Sequence, residues 1–233
     1  LMKTSGGKYV APQKVEGMLT LQPEIGIALS DTREWDKPAT AARASLCAVK
    51  TIVSGQWTTM CLQQSHYSGG ASRTVNQTDL LLGQDFFLGG AVGGPAHLAG
   101  ITGRRSFLPE GHRHSVAFRL TSAWTGFGST EVNLEFGSRL RGVQSRTRHL
   151  GVALTKIVLD RPTEFTAYLD RQEGGYFLGD EVIDRGLGIG FARPITDNLK
   201  IEVVAERTRS SASAYDSSGV SVRFIMPSLN FYR

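Results

Sequence analysis

No stretch of about 18 consecutive apolar residues occurs in this 233-residue chain, which excludes a membrane-spanning helix. Nor does any segment repeat its apolar residues at helical spacing, so helices are not expected to build the fold. Proline is sparse at 8 residues while glycine is abundant at 27, a balance that suits turns and strands. The first residues, LMKTSGGKYVAPQ, carry no signal-peptide core, an absence that says little about export. With 40% hydrophobic and 20% charged residues, the composition is not that of a disordered chain. Lys and Arg number 26 against 21 Asp and Glu, a net charge of +5 that points to acidic partners such as phosphates. Nucleic acid is not among them, because no recognised binding motif or basic helix accompanies the charge.

What the sequence has in quantity is alternation. In RGLGIGFARPITDNLKIEVVAERTR, Leu187, Ile189 and Phe191 share one face while Gly186, Gly188 and Gly190 share the other. After turn chemistry at Pro194 to Asn198, Leu199, Ile201, Val203 and Ala205 oppose Lys200, Glu202 and Glu206, with Val204 the one apolar residue on the charged side. Period two means strand, and the two runs read as an antiparallel hairpin. The glycines resemble a phosphate-binding loop only superficially, since no helix follows them. The same pattern recurs at Leu19–Leu29, Val116–Thr121, Glu131–Phe136, Leu150–Thr155, Phe165–Asp170 and Val220–Met226.

A soluble sheet also has one apolar and one polar face, so two further features decide. Leu19–Leu29, Asn198–Arg207 and Gly219–Phe231 exceed the usual 5–6 residues of a soluble strand and reach the roughly 9–11 that a tilted membrane-spanning strand needs. Connections also alternate in length. Short turns are expected at Ser54–Gly55, Gly93–Pro95, Gly126–Gly128, Asp160–Thr163 and Arg193–Asn198. Longer loops are expected at Asp31–Thr40, Ser68–Thr78, Gly103–Arg113, Arg141–Thr147, Gln172–Val182 and Ser210–Ser218. A barrel with short turns at one rim and long loops at the other gives this rhythm. The expected fold class is therefore all-β: an antiparallel up-and-down transmembrane β-barrel of about twelve strands, or ten if the weak His97–Gly103 segment is not a strand.

In this architecture the chain resembles a Gram-negative outer-membrane β-barrel from about Val15 onward, with no specific family motif. The C-terminal run SVRFIMPSLNFYR is similar to the terminal strand of such barrels, with Phe231 and Tyr232 near its end, although Pro227 interrupts it and Arg233 closes it. The resemblance implies a bacterial outer-membrane location, an N-terminal periplasmic segment at 1–15 and a single barrel domain at 16–233. Outer-membrane lipids and lipopolysaccharide are the implied partners, with other envelope proteins as further candidates and no cofactor. Cys47 and Cys61 are symmetric about Ser54, so they face each other across a hairpin turning there, where a disulfide would form in an oxidising compartment.

On the second face, Arg119, Glu131, Glu135, Glu164, Asp170, Lys200, Glu202 and Arg223 would line the lumen. Two readings stay open: a small selective aqueous pore, or a lumen filled by side chains that only satisfy one another. The positive charge gathers elsewhere. Arg104, Arg105, Arg113, Arg146 and Arg148, with Arg141, His112, His114 and His149 near them and Arg207 and Arg209 beside the last loop, are expected on long loops at the lipopolysaccharide-facing rim. There the arginine fork suits phosphate.

A hydrolase is the second class. In SHYSGG, His66 and Ser68 form the His-x-Ser pair of outer-membrane phospholipase A and the lipid A deacylases. The resemblance implies His66 as base and Ser68 as nucleophile, with Asp79 as a third member; Gly69 stands where those families have asparagine. More is against an enzyme than for it. His112 and His114 have no matching carboxylate or cysteine cluster, so no metal is expected. The glycine-rich LGGAVGGPAHLAGITG, Leu88 to Gly103, fits a strand pair, a bend or a loop folded into the lumen. The leading function is thus a narrow channel or structural membrane component; the alternatives are a membrane-embedded lipid hydrolase and a soluble β-sandwich shell or binding protein.

Overall fold

The computed structural model describes residues 2–3, 9–10, 19–32, 39–53, 55–68, 73–90, 94–124, 128–196, 199–212, 216–226 and 229–231. It is a closed antiparallel barrel of twelve strands. In chain order these are β1 Leu19–Thr32, β2 Ala39–Val53, β3 Gln56–Ser68, β4 Arg73–Gly90, β5 Ala96–Leu108 and β6 Gly111–Trp124. They continue as β7 Gly128–Gly137, β8 Ser145–Val158, β9 Arg161–Phe177, β10 Asp180–Thr196, β11 Leu199–Ser210 and β12 Ser217–Ile225. Each strand pairs with the next, and β12 returns to pair with β1. A short segment, Leu229–Phe231, carries the closing strand on against Leu19–Leu21. Closure leaves no edge strand, which is the condition for a sheet to stand in lipid, where unpaired backbone groups cost several kcal/mol each.

The strands run from 9 to 18 residues, long enough to cross a bilayer obliquely. His97–Gly103 lies inside β5, so the count is twelve and not ten. Of the expected N-terminal segment, Met2–Lys3 and Tyr9–Val10 form a small antiparallel pair, and the rest of 1–15 lies outside the described residues. The expected features at Ser54, Gly69, Gly93, Gly126, Asp197, Asn198, Pro227, Tyr232 and Arg233 also lie outside them.

The loop pattern needs correction. Gly103–Arg113 is not a long loop: β5 and β6 pair down to Leu108↔Gly111, leaving Pro109 and Glu110 as the turn. Gln172–Val182 likewise contracts to Leu178–Gly179, because β9 and β10 pair down to Phe177↔Asp180. Polar residues at these places are strand residues that emerge from the apolar belt, and composition alone does not distinguish the two. At the other rim the DRPT turn sits one residue earlier. Leu159 and Asp160 hold φ of 49° and 59°, and Val158↔Arg161 closes the hairpin. Positive φ at both central residues is the turn whose twist matches that of the strands.

Burial is inverted relative to a soluble protein. Among the described residues the buried hydrophobics are Val182, Ala192 and Val204, while Leu82 and Ile189 are each 62% exposed. Buried polar groups include Glu135, Asp170, Glu173 and Thr163. A soluble β-sandwich requires an apolar layer between two sheets. Here the apolar layer is the outer surface of one closed sheet, which overturns the sandwich alternative.

Candidate functional site

Alternation assigns each strand two faces, and the register aligns them around the barrel. On β11 and β12 the exposed face carries Ala205, Val220 and Phe224, and the shielded face carries Lys200, Glu202, Val204, Ser221 and Arg223. Continuing around the sheet, the shielded face presents Glu24, Cys47, Cys61, Asp79, Asp85, Arg104, Arg113, Arg119, Glu131, Glu135, His149, Glu164, Tyr168, Asp170 and Glu206. This is the inner face of a closed barrel, and the register sets Arg119, Glu131, Glu135, Glu164, Asp170, Lys200, Glu202 and Arg223 on it.

These groups are joined by hydrogen bonds and ion pairs. Arg223 reaches Glu202 at 2.6 Å and Glu24 at 3.9 Å. Lys200 lies 3.5 Å from Glu164. Glu135 accepts from Ser115 at 2.6 Å and faces Arg104 at 3.7 Å. Glu131 accepts from Thr121 at 3.1 Å. Asp170 meets His149 Nδ1 at 2.6 Å and Arg146 at 3.1 Å. Burying a charge is tolerable only when it is paired, and these contacts bring both signs together on the wall.

Several pairs span a whole strand, and inner-face glycines make that possible. Tyr168 lies opposite Gly188, which lies opposite Glu206, and the Tyr168 hydroxyl donates to Glu206 at 2.9 Å across the intervening strand. A Cβ on Gly188 would collide with the Tyr168 ring. In the same way Asp85, Gly100 and Arg119 lie in one cross-strand row, and Arg119 donates to Asp85 at 2.7 Å over Gly100. Gly83 leaves room for the Trp57 ring on its neighbour. The glycine alternation of β10 is therefore a floor for larger side chains reaching over it. Beside Trp57 the inner wall holds a cavity of about 180 Å³, lined among others by Arg104, Arg119, Glu131, Asn133 and Glu135.

Cys47 and Cys61 are directly opposite on β2 and β3 and form a disulfide on the inner face. Sequence symmetry had located this pair; it had not shown which face they occupy.

The arginines expected at a loop rim divide between the two faces. Arg105 and Arg148 point outward and are exposed. Arg104, Arg113 and Arg146 do not: they alternate inward on β5, β6 and β8, where Arg104 and Arg146 pair with Glu135 and Asp170. Counting by twos from Phe107 or Phe118 would have located Arg104 and Arg113. A polar run in the sequence obscured that parity. His112 and His114 share the outer face with ring centroids 5.6 Å apart, while Arg113 between them faces in.

The expected triad is not assembled. His66 and Ser68 lie on the outer face of β3, whereas Asp79 opposes Cys61 on the inner face, so the sheet itself separates them. His66 Nδ1 instead lies 3.0 Å from Thr74 Oγ1 on β4. The Ser68 hydroxyl bonds to the Thr40 hydroxyl on β2. Asp79 accepts from Gln77 at 2.9 Å.

A closed sheet with an apolar outer belt and a charged interior defines an outer-membrane-type β-barrel. Solved structures of that class share the fold. The NanC porin superposes with a TM-score of 0.57 at 8% identity, covering 88% of this chain and 98% of that one. The KdgM porin, in complex with disordered oligogalacturonate, gives 0.54 at 11%, covering 90% and 99%. The outer membrane phospholipase A from Escherichia coli gives 0.51 at 12%, covering 88% and 92%. No protein-family model matches the sequence. No curated protein matches it either.

Proposed function

We propose that the protein is a narrow hydrophilic channel of the bacterial outer membrane, admitting small polar solutes past a wall of mixed charge. The observation that carries this reading is the inner face, where Arg104, Arg119, Glu131 and Glu135 border a cavity within a twelve-strand barrel. A barrel of this size leaves a narrow interior. Because acids and bases stand together on it, several of them in pairs, the wall offers hydrogen bonds to a passing solute without the field of a single-sign ring. Acidic oligosaccharides are the first solutes to test. Guanidinium forks at Arg104, Arg113 and Arg146 suit carboxylates, and a barrel of the same fold is known in complex with oligogalacturonate.

The test is single-channel recording of the refolded chain in planar bilayers. Discrete conductance steps are expected, with oligogalacturonate reducing the open current. In Arg104→Ala the chloride-to-potassium permeability ratio should fall by about twofold or more, because a fixed positive charge leaves a narrow wall. Folded protein that gives no steps would make the barrel a structural component and not a channel.

A further inference from the structure

The outer face of β8 to β11 carries a row of like charges. Arg148 lies directly opposite Arg171, Arg171 opposite Arg185, and Arg185 opposite Arg209. Four arginines thus stand side by side on four adjacent strands, with Arg207 one step below, opposite Leu187. Arg148, Arg185, Arg207 and Arg209 are exposed. Like charges directly opposite on neighbouring strands destabilise a sheet, so a continuous row calls for a counter-charge.

The protein supplies little of it. Glu173 pairs with Arg171 and, at 2.5 Å, with Arg139. Glu181 is taken by Arg139 at 3.1 Å. Asp170 faces inward to Arg146 and His149. Among the described residues, Arg148, Arg185, Arg207 and Arg209 make no ion pair.

What lies directly beneath identifies the occupant. The next outward row toward the middle of the barrel is Leu150↔Leu169↔Leu187, exposed by 40%, 54% and 54%. The four-arginine row therefore lies one step above three leucines, with Arg207 ending the leucine row at its β11 side, where an acyl layer gives way to headgroups. A ligand that satisfies both rows has acyl chains below and anionic groups above. Strand spacing makes the row about 14 Å long, more than one phosphate can cover.

We infer that this arginine row is a binding site for a phosphorylated glycolipid of the surrounding leaflet, one carrying two phosphates as lipopolysaccharide anchors do. The inference rests on the reading of the chain as a membrane barrel and is independent of its being a channel. Arginine suits the site because its fork donates two parallel hydrogen bonds to one phosphate.

The experiment uses the full refolded chain in a neutral detergent, with binding of diphosphoryl lipid A read by native mass spectrometry. The diphosphorylated lipid should bind at least tenfold more tightly than its dephosphorylated form. The double variant Arg185→Gln/Arg209→Gln should lose about tenfold, and Arg185→Lys/Arg209→Lys should keep part of the affinity because charge survives without the fork. Arg148→Gln, at the far end of the row, gives an independent reading if the double variant folds poorly. All should retain the parent's channel conductance, since none reaches the inner face; a parent that binds the diphosphorylated lipid but gives no conductance would count against the channel and leave this site standing. Equal binding of the dephosphorylated lipid would overturn the proposal. Unchanged affinity in both Gln variants, or full displacement by millimolar inorganic phosphate, would overturn it as well.

Discussion

Single residues act in this barrel through the face they occupy. Glycine shows it best, because the same residue type has opposite consequences on the two sides. Gly188 faces inward beneath the Tyr168 ring, whereas a Cβ on outward Gly103 would meet nothing within 4 Å. Gly188→Val must therefore push Tyr168 off its floor and break its hydrogen bond to Glu206. A cost of about 1–3 kcal/mol is expected from overpacking, read as a lower denaturant midpoint in lipid vesicles. Gly103→Ala is the control and should leave the midpoint unchanged. The alternating glycines were legible in the sequence, but their purpose was not, because the side chains that need the space come from β9, 16 to 24 positions away along the chain and one strand over.

At the scale of elements, the β2–β3 hairpin is locked by Cys47–Cys61 across a separation of 14 residues. This pairing could be read from index symmetry alone, because a two-residue-scale turn fixes the register of both strands. A cross-link closing a loop of that length contributes up to about 3 kcal/mol by restricting the unfolded chain. Cys47→Ser/Cys61→Ser, or reduction of the parent before heating, should lower the temperature at which the compact band on an unboiled gel converts to the unfolded one. No change would mean that the adjacent strand pairs already hold the hairpin. The β5–β6 hairpin was harder to read: its arginines and histidines resemble a loop in composition, and only the pairing to Leu108↔Gly111 shows that strand continues through them.

For the whole molecule the decisive quantity is what the apolar belt touches. Ile189 is 62% exposed at the middle of that belt. In water an exposed Ile→Arg change is within about 0.5 kcal/mol of neutral; at the midplane of a bilayer it costs roughly 2–4 kcal/mol. Ile189→Arg should therefore destabilise the vesicle-embedded barrel by the larger amount, measured as a shift in urea midpoint. A neutral result would remove the lipid-facing assignment, and with it the arginine row as a lipid site. The same belt explains why a chain of mean hydropathy −0.15 can reside in a membrane: the polar half of each strand is sequestered inside.

The sequence by itself determined the alternating strands, their two faces and the cysteine pairing and narrowed the strand number to twelve or ten, because period-two alternation and hairpin symmetry are local properties of the chain. Tertiary structure decided what depends on closure and register. Pairing of β12 with β1 joins Ser217 to Thr32, 185 positions apart along the chain, and it is this ring that makes one face an interior. Register then set Asp79 on the opposite side from His66, brought Arg146 to Asp170, and aligned Arg148, Arg171, Arg185 and Arg209 in one row. A shift of one residue in any of those hairpins would move every side chain of a strand to the other face, so no local pattern could have fixed these neighbours.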